Sequence, residues 1–328
     1  MEKLPFLSRI KEYRKLQKIK ATESGKNLIH DFHGKVMCLF ASPRGGSTWL
    51  LETLSSRCDF VPINEPLFQG KLRVDGIMPS FTTGRPYLKD LNFWFHQPLD
   101  ESYNSDREKE IFRKIFSGRH LHPDLTRYSS ISELKTAEKF LVKFCYGNLM
   151  LPWIVKNFNV AAIFLIRHPC AVIASQLSVK GAFDHIINYP GFTLPVFFNA
   201  EYFDQFDSIL SKSVRPEEIL AAIWSITIKH VIDHPKNNTE WHTLRYEDLL
   251  NDPFHELKKI ENRYPEFGWS KNTSHNYVLP SKSTLDKNLG SHLLDGTQET
   301  KWKDQLTHDQ IKNIFSIVKD FGIEIYEP

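Results

Sequence analysis

Two stretches of this sequence combine cations with the small residues that let backbone amides gather around an anion. The first runs from Val36 through Pro43-Arg44-Gly45-Gly46-Ser47-Thr48-Trp49 to Leu50. Its apolar run, Val36 to Phe40, predicts a buried strand. Arg44-Gly45-Gly46 is a turn that lets the backbone lie close to a ligand. Ser47 then opens a helix through Trp49, Leu50, Leu51 and Leu54. Strand, glycine turn and helix N-terminus make an anion nest. The loop departs from the nucleoside-triphosphate pattern G-x-x-x-x-G-K-[ST]. Ala41 stands at the first Gly, Gly46 at the second, Ser47 at the Lys and Thr48 at the hydroxyl position. The cation has moved to Arg44, which suits a phosphate ester with less charge to neutralise than Mg-ATP. The plainer alternative is an ordinary glycine turn.

The second stretch is another β-run, Ala161 to Ile166, followed by Arg167-His168-Pro169 and a helix begun by the proline. A kinase-type fold often carries a magnesium-binding Asp at such a strand end; here Arg167 stands there. Ser175 lies eight residues on, about two helical turns, so its hydroxyl can share a face with the strand end. Together Arg167 and Ser175 suit a phosphate held without metal. Taken singly they also fit a solvated Arg and a helix-surface Ser. Two anion sites without a metal ligand suggest a nucleotide phosphorylated at two separate positions.

With these motifs the chain resembles the sulfotransferases that use 3′-phosphoadenosine 5′-phosphosulfate. Pro43 to Trp49 is similar to their 5′-phosphosulfate loop, and Ile166 to Ser175 to their 3′-phosphate motif. Leu244-Arg245-Tyr246-Glu247-Asp248-Leu249-Leu250-Asn251-Asp252-Pro253 is similar to a third recurring segment. The resemblance implies that Arg44 contacts the transferring group and the bridging oxygen. It further implies that Gly45, Gly46, Ser47 and Thr48 cradle the 5′-phosphate and that Trp49 packs near the adenine. Arg167 and Ser175 become 3′-phosphate ligands, and Tyr246 falls on the nucleotide side. Lys301, in Thr300-Lys301-Trp302, matches a late basic-aromatic element near the nucleotide. The implied donor is the phosphosulfate nucleotide, with no metal.

Transfer to a hydroxyl also needs a proton acceptor. Many small-molecule members carry Lys-x-His on the strand before the 3′-phosphate motif; here it reads Lys143-Phe144-Cys145. The expected His is a Cys. Glu65 takes its place as candidate base, 21 residues after Arg44 and just past an apolar run. That context resembles the glutamate base of tyrosylprotein and some carbohydrate members. Pro66 predicts an extended backbone at Glu65. A strand-end surface Glu is the competing reading, and Lys143 is either a supporting charge or a solvated strand-end lysine.

The elements that must position these groups read as a P-loop-type α/β fold: a parallel β-sheet with helices on both faces. The 328 residues show no Pro/Gly/Ser linker or internal repeat, so a single domain with insertions is expected. Residues 1–34 form an N-terminal basic segment and residues 35–328 the catalytic domain. Residues 1–20 carry +5 of the formal net charge of +3, leaving −2 on the remainder. This balance argues against a nucleic-acid binder. Leu4, Leu7, Ile10, Leu16 and Ile19 among Lys and Arg suggest a basic amphipathic helix, docked on its own domain or peripheral at a membrane. No apolar run approaches a membrane span or a signal core. The dispersed Cys38, Cys58, Cys145 and Cys170 read as reduced core thiols, hence a cytoplasmic protein. Sequons at Asn237 and Asn272 keep a trimmed lumenal domain open. His30, His33, His120 and His122 show no metal-ligand spacing. Aromatic stretches at 68–103 and 183–206 read as acceptor territory or core in equal measure. Helices are expected over Glu217–Asp233 and Asp309–Phe321.

The resulting expectation is a sulfotransferase moving a sulfuryl group to an acceptor hydroxyl. The acceptor is read as a carbohydrate, a lipid-linked sugar or a small natural product. A P-loop kinase and a catalytically inactive nucleotide-binding protein are the alternatives.

Overall fold

The computed structural model describes residues 34–68, 96–118, 125, 128–179, 183, 200–270 and 297–328. Five strands form, β1 Lys35–Ala41, β2 Val61–Asn64, β3 Lys139–Phe144, β4 Ala161–Ile166 and β5 His242–Arg245, with apolar runs in β1 and β4 and a mostly polar sequence in β5. They make one parallel sheet in the order β2-β3-β1-β4-β5. The near-continuous apolar composition of β1 and β4 follows from cover on both faces.

That cover comes from helices. Side chains alternate along β1, so Cys38 and Phe40 enter one core while Met37, Leu39 and Ala41 enter the other. On the Met37 face lie α1 (Ser47–Cys58), α7 (Tyr246–Asn251) and α8 (Pro253–Arg263). The Phe40 face packs on α2 (Asp106–Phe116), α4 (Leu151–Asn157), α5 (Pro169–Leu177), α6 (Pro216–Ile232) and α9 (His308–Asp320). The short α3 (Ile131–Thr136) enters through a capping box on Ser130. Expected strands and helices therefore appear within a residue or two of their sequence bounds. Cys145 falls one residue beyond its strand.

The register sets up the site. Ile166 pairs with Arg245, so Arg167 and Tyr246 leave the sheet side by side. Asn64 pairs with Lys143, so Glu65 emerges beside Lys143 and Cys145. All five strands run parallel, so the residues just past their C-terminal ends share one rim, where open α/β sheets bind ligands.

Among the described residues no helix is long and apolar enough to cross a membrane. The four cysteines are buried and unbonded to one another. Residues 1–20, His30, His33, His120, His122 and Asn272 lie outside the described residues. So do Phe81, Tyr87, Phe93, Trp94, Phe95, Tyr189, Phe192, Phe197 and Phe198 of the aromatic stretches. Of the remainder, Phe183 and Phe203 are buried in the Phe40-side core, with Phe68, Tyr202 and Phe206 packed on it, while Tyr103 is exposed.

Candidate active site

The loop from β1 to α1 is held open by its backbone. Arg44 and Gly46 have φ of 72° and 89°, and Gly45 N–H donates to the Ser42 carbonyl at 2.9 Å. A Cβ on Gly46 would stand 2.4 Å from the Tyr246 ring, so only glycine fits this approach. Gly46 caps α1 without a side-chain hydrogen bond, and the first turn of α1 carries no acidic residue. A helix N-terminus of this kind favours an anion. Gln176 Nε2 donates to the Pro43 carbonyl at 2.9 Å and ties the loop to α5.

The two anion motifs meet here. Arg44 Nε donates to Ser175 Oγ at 2.9 Å. Arg167 Nη1 donates to the Arg44 carbonyl at 3.2 Å. The Arg167 guanidinium lies over the Tyr246 ring, 4.4 Å from its centroid. Although Arg44 is exposed, crowding around its guanidinium and then the Arg167 charge lower its affinity for its proton. Tyr246 is buried and serves as a floor between Gly46 and Arg167. Trp49 meets Tyr246 edge-on at 6.0 Å and is itself buried, its Nε1 lacking a hydrogen-bond partner among the described residues. Lys301 is exposed at the head of the turn Lys301–Asp304. Its neighbour Trp302 stacks on His168 at 4.6 Å.

A second cluster sits one strand over. Lys143 Nζ lies 2.9 Å from Glu65 Oε1 and donates to Thr48 Oγ1 at 3.1 Å. Cys145 Sγ donates toward Glu65 Oε1 at 3.6 Å and lies 3.5 Å from Ser47 Oγ. Lys143 is 1% exposed and Glu65 20%. Burial alone would lower the Lys143 pKa; the Glu65 charge, with smaller contributions from its neighbours, outweighs it and holds the ammonium charged. Burial, then the Glu65 charge, pushes the Cys145 thiol up to about 12, so it stays a neutral donor. Lys143 therefore joins Glu65 to the loop helix.

The backbone at Glu65 differs from the extended form expected before proline. Its φ is 44°, in the left-handed region that non-glycine residues avoid. Glu65 N–H donates to the Lys143 carbonyl at 2.8 Å and Phe68 N–H to the Glu65 carbonyl at 3.1 Å. The chain turns sharply off the sheet, and the turn outweighs the local preference. Such conformations persist where the surroundings over-determine them.

Sequence reasoning undervalued Lys143. The available signal was a lysine inside Phe140-Leu141-Val142-Lys143-Phe144, where a solvated reading conflicts with the apolar neighbours. Among the described residues no group of three or more His, Cys, Asp or Glu could hold a metal.

A sulfotransferase domain model matches residues 35–321. The chain belongs to the sulfotransferase family, and the kinase alternative is set aside. No curated protein matches it. Among solved structures, the sulfotransferase domain of the Synechococcus PCC 7002 olefin synthase is 16% identical, covering 90% of this chain and 98% of that one, with a TM-score of 0.41. Mouse sulfotransferase SULT7A1 complexed with PAP is 14% identical, covering 92% and 90%, with a TM-score of 0.40. Retinol dehydratase in complex with androsterone and inactive cofactor PAP is 14% identical, covering 97% and 88%, with a TM-score of 0.37.

Proposed function

We propose that this sulfotransferase takes its sulfuryl group from 3′-phosphoadenosine 5′-phosphosulfate and uses Glu65 as the base. The observation that carries the reading is the meeting of Arg44, Arg167 and Ser175 beside an uncapped helix N-terminus, with the Glu65–Lys143 pair bonded to the same helix. The donor set is cations, hydroxyls and amides, which fits a nucleotide bearing two separate phosphate groups. Bound there, the nucleotide supplies an activated sulfur.

The chain's own residues do the rest. Gly45, its N–H turned back onto the Ser42 carbonyl, shapes the 5′-phosphate cradle, and Gly46, Ser47 and Thr48 present amides and hydroxyls to the 5′ side. Arg44 stabilises charge on the departing phosphate oxygen. Arg167 and Ser175 hold the 3′-phosphate, while Trp49 and Lys301 serve the nucleotide's remaining surface and Tyr246 backs Arg167. The Glu65 carboxylate accepts the acceptor's proton as the acceptor oxygen bonds to sulfur and the bond from sulfur to the 5′-phosphate oxygen breaks. Lys143 fixes that carboxylate. Glu65 in place of a histidine favours a carbohydrate or glycolipid acceptor, with a natural-product alcohol or phenol second. A screen of acceptor extracts with labelled donor, read by mass shift, tests this. Label must move to a hydroxyl compound, and complete absence of transfer with bound donor contradicts the reading.

Residues 1–20 are proposed to lie outside the domain at 35–328, on the cytoplasmic side, as a membrane-surface segment. Their removal should spare nucleotide binding and abolish salt-sensitive sedimentation with anionic liposomes. A full-length chain that never sediments with such liposomes would make the segment packing only.

A further inference from the structure

The segment after α9 grips the back of the Arg167 turn. Tyr326 Oη donates to Glu247 Oε2 at 2.8 Å. The other oxygen of the same carboxylate, Oε1, accepts the His168 N–H at 2.9 Å. Tyr326, Glu247 and the peptide that follows Arg167 thus form one chain of hydrogen bonds. The carbonyl of that same peptide, contributed by Arg167, accepts from Trp224 Nε1 at 3.2 Å. The His168 ring is enclosed as well: Trp302 stacks on it at 4.6 Å and Tyr326 meets it edge-on at 5.0 Å. Its Nε2 lies 3.1 Å from the Glu327 carbonyl, which can only accept, so Nε2 carries the proton.

Three successive residues of the third sequence motif have three tasks here. Arg245 covers the Tyr326 ring, 4.8 Å from its centroid. Tyr246 stacks under the Arg167 guanidinium. Glu247 binds the backbone beside Arg167. Glu247 and Tyr326 are both buried, and burial, then the Glu247 charge, keeps the Tyr326 hydroxyl protonated as a donor. A buried carboxylate on a single backbone amide would leave an oxygen unpaired; Tyr326 satisfies it.

We infer that Tyr326 is a positioning residue for 3′-phosphate recognition, acting through Glu247 and the His168 amide to fix Arg167. The inference rests on the donor reading above. Without the Tyr326 hydroxyl, Glu247 would relax toward other donors and the Arg167 turn would lose its fixed direction. The loss should therefore fall on the 3′-phosphate alone.

The test is calorimetry of the full chain with two nucleotides, adenosine 3′,5′-bisphosphate and AMP. The wild type should prefer the bisphosphate. Tyr326→Phe should weaken the bisphosphate by roughly three- to tenfold and leave AMP unchanged. Tyr264→Phe removes a comparable buried bond, Tyr264 Oη to the Ala162 carbonyl at 2.7 Å. It should lower the melting temperature without moving the ratio of the two affinities. If Tyr326→Phe does not fold, Glu247→Gln carries the same expectation. An unchanged ratio in the folded variant, or equal weakening of both nucleotides, overturns the inference. A wild type that binds both equally removes the donor reading and this inference with it.

Discussion

At the N-terminus of α1, Arg44 and Arg167 bring two cations together with no carboxylate on Arg44 among the described residues, while one strand away Glu65 and Lys143 close on each other at 2.9 Å. The first cluster is held by hydrogen bonds to a hydroxyl and a carbonyl and by an aromatic face. Arg44 itself is exposed. The second is nearly neutral as it stands, and its lysine is buried. Bringing a lone ammonium so far from water would cost several kcal/mol, and Glu65 offsets that. Under the proposed function one region receives charge and the other holds a carboxylate still. Ser47 and Thr48, neighbours on α1, connect them through Cys145 and Lys143.

The sharpest way to break this contrast is at Glu65. Glu65→Gln keeps the shape and removes the proton acceptor, so turnover should fall by about 10²–10⁴-fold with nucleotide affinity nearly unchanged. It also leaves Lys143 without its anion, and the melting temperature should drop. Adding Lys143→Met should recover stability but not rate. A fully active Glu65→Gln enzyme would place the base elsewhere.

Next in size is Arg44→Ala. Its role in stabilising the departing oxygen predicts a loss of roughly 10²–10³-fold in turnover, larger than the loss in affinity. Normal turnover with weakened binding would make Arg44 a phosphate anchor only. Steady-state kinetics beside calorimetry separates the two.

The smallest effect is expected at Cys145. Its thiol is held near 12, so the thiolate is absent at neutral pH and appears only as pH rises toward that value. Cys145→Ser should change the rate by less than about threefold, and the pH–rate profile should show no thiol titration between pH 7 and 9. A dead Cys145→Ser enzyme would give the thiol a chemical part.

The contrast also explains what the sequence revealed. Strand and helix positions were legible because Val36–Phe40 and Ala161–Ile166 are short apolar runs ended by glycine or proline, and local chemistry decides those boundaries. The anion motifs were legible for the same reason: each is contiguous. Their meeting was not, because the Arg44–Ser175 bond spans 131 positions and depends on strand register. The Glu65 turn was misjudged since a tertiary contact, its N–H on the Lys143 carbonyl, overrides the preference set by Pro66. Lys143 was ambiguous because a strand-end lysine and a buried one look alike until the partner carboxylate is placed.

The two cation motifs are proposed to form one site for a nucleotide phosphorylated at both 3′ and 5′ positions. Calorimetry of the wild type and Arg167→Ala against adenosine 3′,5′-bisphosphate and AMP tests it most directly. The wild type should bind the bisphosphate more tightly by about 10- to 100-fold, the span of roughly 1.5–3 kcal/mol for a charged hydrogen bond. Arg167→Ala should erase most of that preference while leaving AMP unaffected. Equal affinities in the wild type, or a preference that survives Arg167→Ala, would rule out a shared site of this kind.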